Sequence, residues 1–101
     1  MKKIILTSIL GLVLMTGLAN ASVNKGKKIY LKKMNTSCHM TGAKFAAKHT
    51  QDEWTALKNS GKLQKEIEKM CPGVKLKKRY IKHIYDFNYK YASDSGYIPS
   101  C

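Results

Sequence analysis

The chain has 101 residues, 44% of them hydrophobic, with 19 Lys or Arg against 6 Asp or Glu and a formal net charge of +13. That length allows one small domain, whose core is marginal without a covalent staple or a prosthetic group. The few carboxylates form no acid/base pair, and no nucleophile stands with a base and an orienting partner, so the composition argues against an enzyme.

Residues 1–21 read as a secretory leader. Lys2 and Lys3 give a positive start, the run from Ile4 to Leu14 is apolar apart from Thr7 and Ser8, and Ala19-Asn20-Ala21 is an A-x-A cleavage site. The apolar run is too short to span a bilayer, and no cysteine sits at the cleavage point to carry a lipid anchor. The expected mature domain is 22–101, 80 residues long, periplasmic or otherwise secreted, with its charge lowered from +13 to +11 by loss of the two leader lysines. Such an excess favours encounter with acidic partners, membrane head groups or nucleic acid. Export makes nucleic acid the least expected of these, membrane association stays open, and an ordinary solvated surface accounts for lysines equally well.

The mature part opens with a short polar lead, Ser22 to Lys25. From Gly26 to Met34, Ile29, Tyr30, Lys33 and Met34 fall at helical spacing while Lys27, Lys28 and Lys32 face water, which predicts a first helix. Asn35 to Ser37 reads as an interruption and Thr41-Gly42 as a turn. Residues 42–49 fit a helix or a tight loop. Thr50 with Glu53 three places later is a capping box that starts a helix carrying Trp54 and Leu57, and Gly61 stops it. Leu63, Ile67 and Met70 mark a further helix ended by Pro72-Gly73. From about Leu76 to Tyr91, Tyr80, Ile84, Phe87 and Tyr91 fall on one face at steps of four, three and four. With no alternating, strand-like run anywhere, the expected fold is all-α, three to four short helices.

Met34-Asn35-Thr36-Ser37-Cys38-His39-Met40 carries the chemistry that stands out. A thiol directly before an imidazole is half of C-x-x-C-H, in which two thiols bond the haem vinyl groups and the histidine ligates iron. Asn35 occupies the place of the first thiol. An opening helix with Gly26 and Tyr30, a Cys38-His39 pair at its end, two middle helices and a longer aromatic terminal helix resemble the small class I cytochromes c. That resemblance implies haem c held by a single thioether at Cys38, His39 as proximal ligand and a distal methionine, for which Met70 before Cys71-Pro72 is the candidate and His83 the runner-up. It also implies electron transfer, with a pocket from Phe45, Trp54, Leu57, Ile84 and Phe87, and lysines that steer an acidic redox partner.

On the same reading, a Cys38 taken by haem leaves Cys71 and Cys101 to pair across a 30-residue interval. Pairing of Cys38 with either of the others rules out the thioether. The alternative function is then a haem-free exported binding or structural protein stabilised by a disulfide. A third reading gathers Cys38, His39 and Met40, with His49 or Met34, into a soft site for Cu(I).

Overall fold

The computed structural model describes residues 20–101. The leader reading of residues 1–21 falls outside them except at 20 and 21, which are helical. The described residues form five helical segments and no strand, so the chain is all-α as its periodicity predicts. Among the described residues, no helix is long and apolar enough to cross a membrane.

The first helix, α1, runs over residues 20–38 and is longer than its sequence suggests at both ends. Its buried face is Val23, Gly26, Tyr30, Met34 and Cys38, steps of three, four, four and four. At 3.6 residues per turn each step of four drifts by about 40° off the face, so three in succession would swing Cys38 away from the core. The helix absorbs this drift by widening over Tyr30–Met34 into a π-helical segment, in which the Asn35 amide donates to the Tyr30 carbonyl. A last α-turn, Asn35–Cys38, follows, and His39 ends it in the left-handed region at φ 54°. Burial of Cys38 outweighs the weak helix propensity of Asn35 to Ser37, which is why the expected interruption does not occur.

Helix α2, Gly42–Ala46, is capped by Thr41, whose hydroxyl accepts from the Lys44 amide at 3.2 Å. Helix α3, Gln51–Asn59, carries the expected capping box: the Thr50 amide donates to Glu53 at 2.8 Å and the Glu53 amide to Thr50 at 3.2 Å. Helix α4, Leu63–Met70, buries Leu63 and Ile67 and stops at Cys71-Pro72-Gly73, with Gly73 at φ 87°. Helix α5, Lys78–Lys90, is the longest after α1 and buries Ile84, Phe87 and Asn88.

The core is an aromatic column. Tyr30 lies 5.2 Å from Phe45 and 6.3 Å from Phe87 between ring centroids, and Phe45 lies 6.0 Å from Trp54. Trp54 is fully buried, and its indole donates to the Ala46 carbonyl at 2.9 Å, which ties α3 to the end of α2. The tail beyond α5 folds back as a strap: the Ala43 amide donates to the Cys101 carbonyl at 3.1 Å, and Lys27 donates to Ser100 at 2.6 Å.

Candidate functional site

Cys38 is bonded to Cys71, across 33 residues, and Cys101 is the free thiol. The expected Cys71–Cys101 bridge is therefore corrected. The physical reason lies in α1: the π segment keeps Cys38 on the buried face, where the end of α4 delivers the equally buried Cys71. Cys101 ends the strap elsewhere, half-buried against the cluster of Val23, Ala46 and Phe87. Burial pushes its thiol above the ordinary range, and Lys27 opposes the shift only in part.

A haem c held through Cys38 does not fit this arrangement, because the sulfur that would bond the vinyl carbon is already bonded to Cys71. His39 and Met70, neighbours in sequence of the two bridged cysteines, diverge in environment. His39 is exposed at the end of α1, and Met70 is half-buried against the core. The side chains expected to line a haem pocket instead pack on one another: Phe45 touches Trp54, and Tyr30 stands between Phe45 and Phe87. Several residues of the soft-metal reading are engaged elsewhere. Cys38 is oxidised, Met34 is fully buried, and His49 Nε2 lies 2.8 Å from Glu66. Among the described residues, no three His, Cys, Asp or Glu side chains gather in a way that could hold a metal ion.

His49 is a clasp. Its ring bridges Glu66 of α4 and, at 3.7 Å, Glu53 of α3, while it meets the Trp54 ring edge-on at 4.6 Å. The Nε2 hydrogen bond to Glu66 and the packing on Trp54 hold α3 and α4 to the loop before them.

The feature that the sequence did not assemble is a groove of about 780 Å³ between α1 and α5. From α1 it is lined by Lys25, Lys28, Ile29, Lys32 and Lys33. From α5 come Arg79, Tyr80, Lys82 and His83. Two close approaches set the helices against each other. Gly26 sits so near α5 that a Cβ there would overlap the His83 carbonyl oxygen and lie 2.8 Å from the Phe87 Cβ. Beside it Ser22 Oγ pairs with His83 Nδ1 at 2.7 Å.

Six cations therefore converge on one groove, and none of the six acidic residues of the chain lines it. Its titratable groups register the positive field. His83 is held below its ordinary value of 6.5, first by burial, then by Lys82 and Lys25, with Asp86 opposing. The Tyr80 hydroxyl is held below 10.0 chiefly by its hydrogen bond with Arg79, with the charges of Arg79, Lys77 and Lys33 adding to it. Lys33 and Arg79 also stand 5.9 and 5.4 Å from the Tyr80 ring, which shields part of their charge on its π face. Chemically, the groove offers several point charges, one guanidinium fork, one imidazole and an apolar wall from Ile29 and Tyr80. That inventory suits an anion.

The signal was present in the sequence as two separate stripes, Lys25-Lys28-Lys32 and Lys78-Arg79-Lys82, at helical spacing. Nothing in either stripe says that the two helices face each other. No family model, no curated protein and no solved structure matches the chain.

Proposed function

We propose that the chain is a haem-free, disulfide-stapled exported protein that binds an anionic ligand in the groove between α1 and α5 and carries out no reaction on it. The observation that carries this reading is the convergence of six cations, from two helices, on a groove without a carboxylate. Such a cluster raises its own electrostatic energy and is relieved by a bound anion. Export is supported by the leader pattern of residues 1–21 and by the Cys38–Cys71 bridge, which persists in an oxidising compartment. Where the bridge is intact, Cys38 has no sulfur to offer a porphyrin.

The test has two parts. Intact mass of the exported protein is expected to equal that of the polypeptide less two hydrogens, with alkylation before reduction modifying Cys101 alone. A haem-sized mass increment or a Soret band would instead restore the electron carrier. Titration with inorganic pyrophosphate at low salt, followed by amide chemical shifts, is expected to perturb residues 25–33 and 79–83. Shifts spread evenly over every lysine-bearing segment would remove the groove as the site.

A further inference from the structure

The α1–α5 groove has a shape and charge pattern that narrow the anion it takes, on the premise that it is an anion site. We infer that this face docks the protein onto a membrane surface rich in anionic phospholipid phosphates. Four features of the molecule point there.

The groove's cations are five lysines and one arginine. A lysine ammonium is a point charge on a flexible stem, suited to a fluid array of phosphates, whereas a fixed small ligand is commonly gripped by rigid arginine forks.

The N-terminus of α5 breaks a local rule. Its cap, Lys77, makes no side-chain hydrogen bond to the helix, its first turn holds no acidic residue, and Lys77, Lys78 and Arg79 crowd the positive end of the helix dipole. Cations there cost stability unless an anion offsets them, and departures of this kind concentrate at functional sites.

The molecule is electrically polarised. Of its six acidic residues, Asp52, Glu53, Glu66 and Glu68 sit on α3 and α4, and Glu53 and Glu66 are engaged with His49. Lys58, Lys65 and Lys69 nearly balance those four carboxylates, whereas the groove gathers six cations and no carboxylate, so a negatively charged plane attracts the α1–α5 face more strongly than α3 and α4.

The groove also carries apolar surface. Ile29 and Tyr80, both half-buried, lie among its cations, where they can meet the boundary between head groups and acyl chains.

Each lysine near an anionic leaflet contributes about 1 kcal/mol, roughly a fivefold change in partition. The test is flotation of the purified, leader-free protein with vesicles of phosphatidylcholine alone or with roughly one-third phosphatidylglycerol. Partition is expected only with the anionic vesicles and is expected to fade as salt rises from about 0.05 to 0.5 M. Two double variants of equal charge change, both checked for native circular dichroism, carry the discrimination. Lys28→Glu with Lys32→Glu is expected to lower partition about tenfold or more. Lys65→Glu with Lys69→Glu, on the exposed side of α4, is expected to change it less than about threefold.

Equal losses in the two variants would mean that net charge alone drives binding, which overturns the proposal. A single-stranded oligonucleotide that displaces the protein from vesicles at equal phosphate concentration overturns it in favour of nucleic acid. If the wild type ignores anionic vesicles while pyrophosphate still shifts residues 25–33 and 79–83, the membrane is wrong and the anion groove stands. Silence in both experiments removes the groove as well.

Discussion

At the level of single residues, the groove's histidine and a buried amide are the most informative. His83 is folded into surroundings that disfavour its charged form, so the unfolded chain binds its proton more readily than the folded one. Stability is then lost as pH falls through 6.5, the ordinary value, toward the lowered folded one, and it returns as pH rises. In urea denaturation between about pH 5 and 8, His83→Gln is expected to flatten that part of the pH dependence. A carboxylate shows linkage of the same sign at lower pH. Glu53 is held below its ordinary 4.5, chiefly by the Thr50 amide, so its contribution exists above that value and is lost only in stronger acid. The two effects therefore occupy different pH ranges. Asn88 is another matter: its side chain is fully buried in α5, and neither its amide nitrogen nor its oxygen has a partner among the described residues. Replacing an orphaned polar group by an apolar one of similar size removes a desolvation cost of about 1–3 kcal/mol. Asn88→Leu is thus expected to raise the urea midpoint, and a lowered midpoint would show that the amide has a function in the interior.

Among the elements, α1 decides most. Its buried stripe would leave the core in a regular helix, and the π segment at Tyr30–Met34 keeps Met34 and Cys38 pointing inward. The same segment carries Lys32 and Lys33 on its groove side. The crossing with α5 depends on Gly26, where a Cβ would overlap the His83 carbonyl. Gly26→Ala forces α1 away from α5 and is expected to cost about 1–3 kcal/mol by overpacking, measured by chemical denaturation, and to weaken pyrophosphate binding by moving one wall of the groove. The shorter elements follow local rules more closely. Helix α3 starts at the Thr50–Glu53 box and stops near Gly61, and α4 stops before Pro72. Asp94 adds a bond that local reading does not foresee: it lies 43 residues after Gln51 and accepts from the Gln51 amide at 2.9 Å, so the turn after α5 helps to cap α3.

For the molecule as a whole, the Cys38–Cys71 bridge sets how much of the fold survives. Closing a 33-residue interval stabilises by about 3–4 kcal/mol in the loop-entropy model, a large share of what so small a core holds. Cys38→Ser with Cys71→Ser is expected to lower stability by that amount in urea melts, while Cys101→Ser leaves it within about 1 kcal/mol. A larger loss from Cys101→Ser would mean that the strap, not the bridge, is the staple.

Much of the architecture was legible in the chain itself. Helical spacing of apolar residues, the capping box at Thr50, Gly61 and the Pro72-Gly73 stop are local features, acting within a turn or two, and they determine that the protein is all-α and roughly where its helices lie. The candidate site was not legible. Cys38-His39 drew attention to a haem because the pair is adjacent in sequence, but a thiol's partner is chosen by which other sulfur the fold brings alongside. Lys28 and Lys32 read as part of a wet helix face, and their pooling with the cations of α5 was hidden because its energy depends on the distance between helices some fifty residues apart. Pairing of thiols and pooling of charge are through-space properties, and only packing, here the π turn in α1 and the contact at Gly26, fixes those separations.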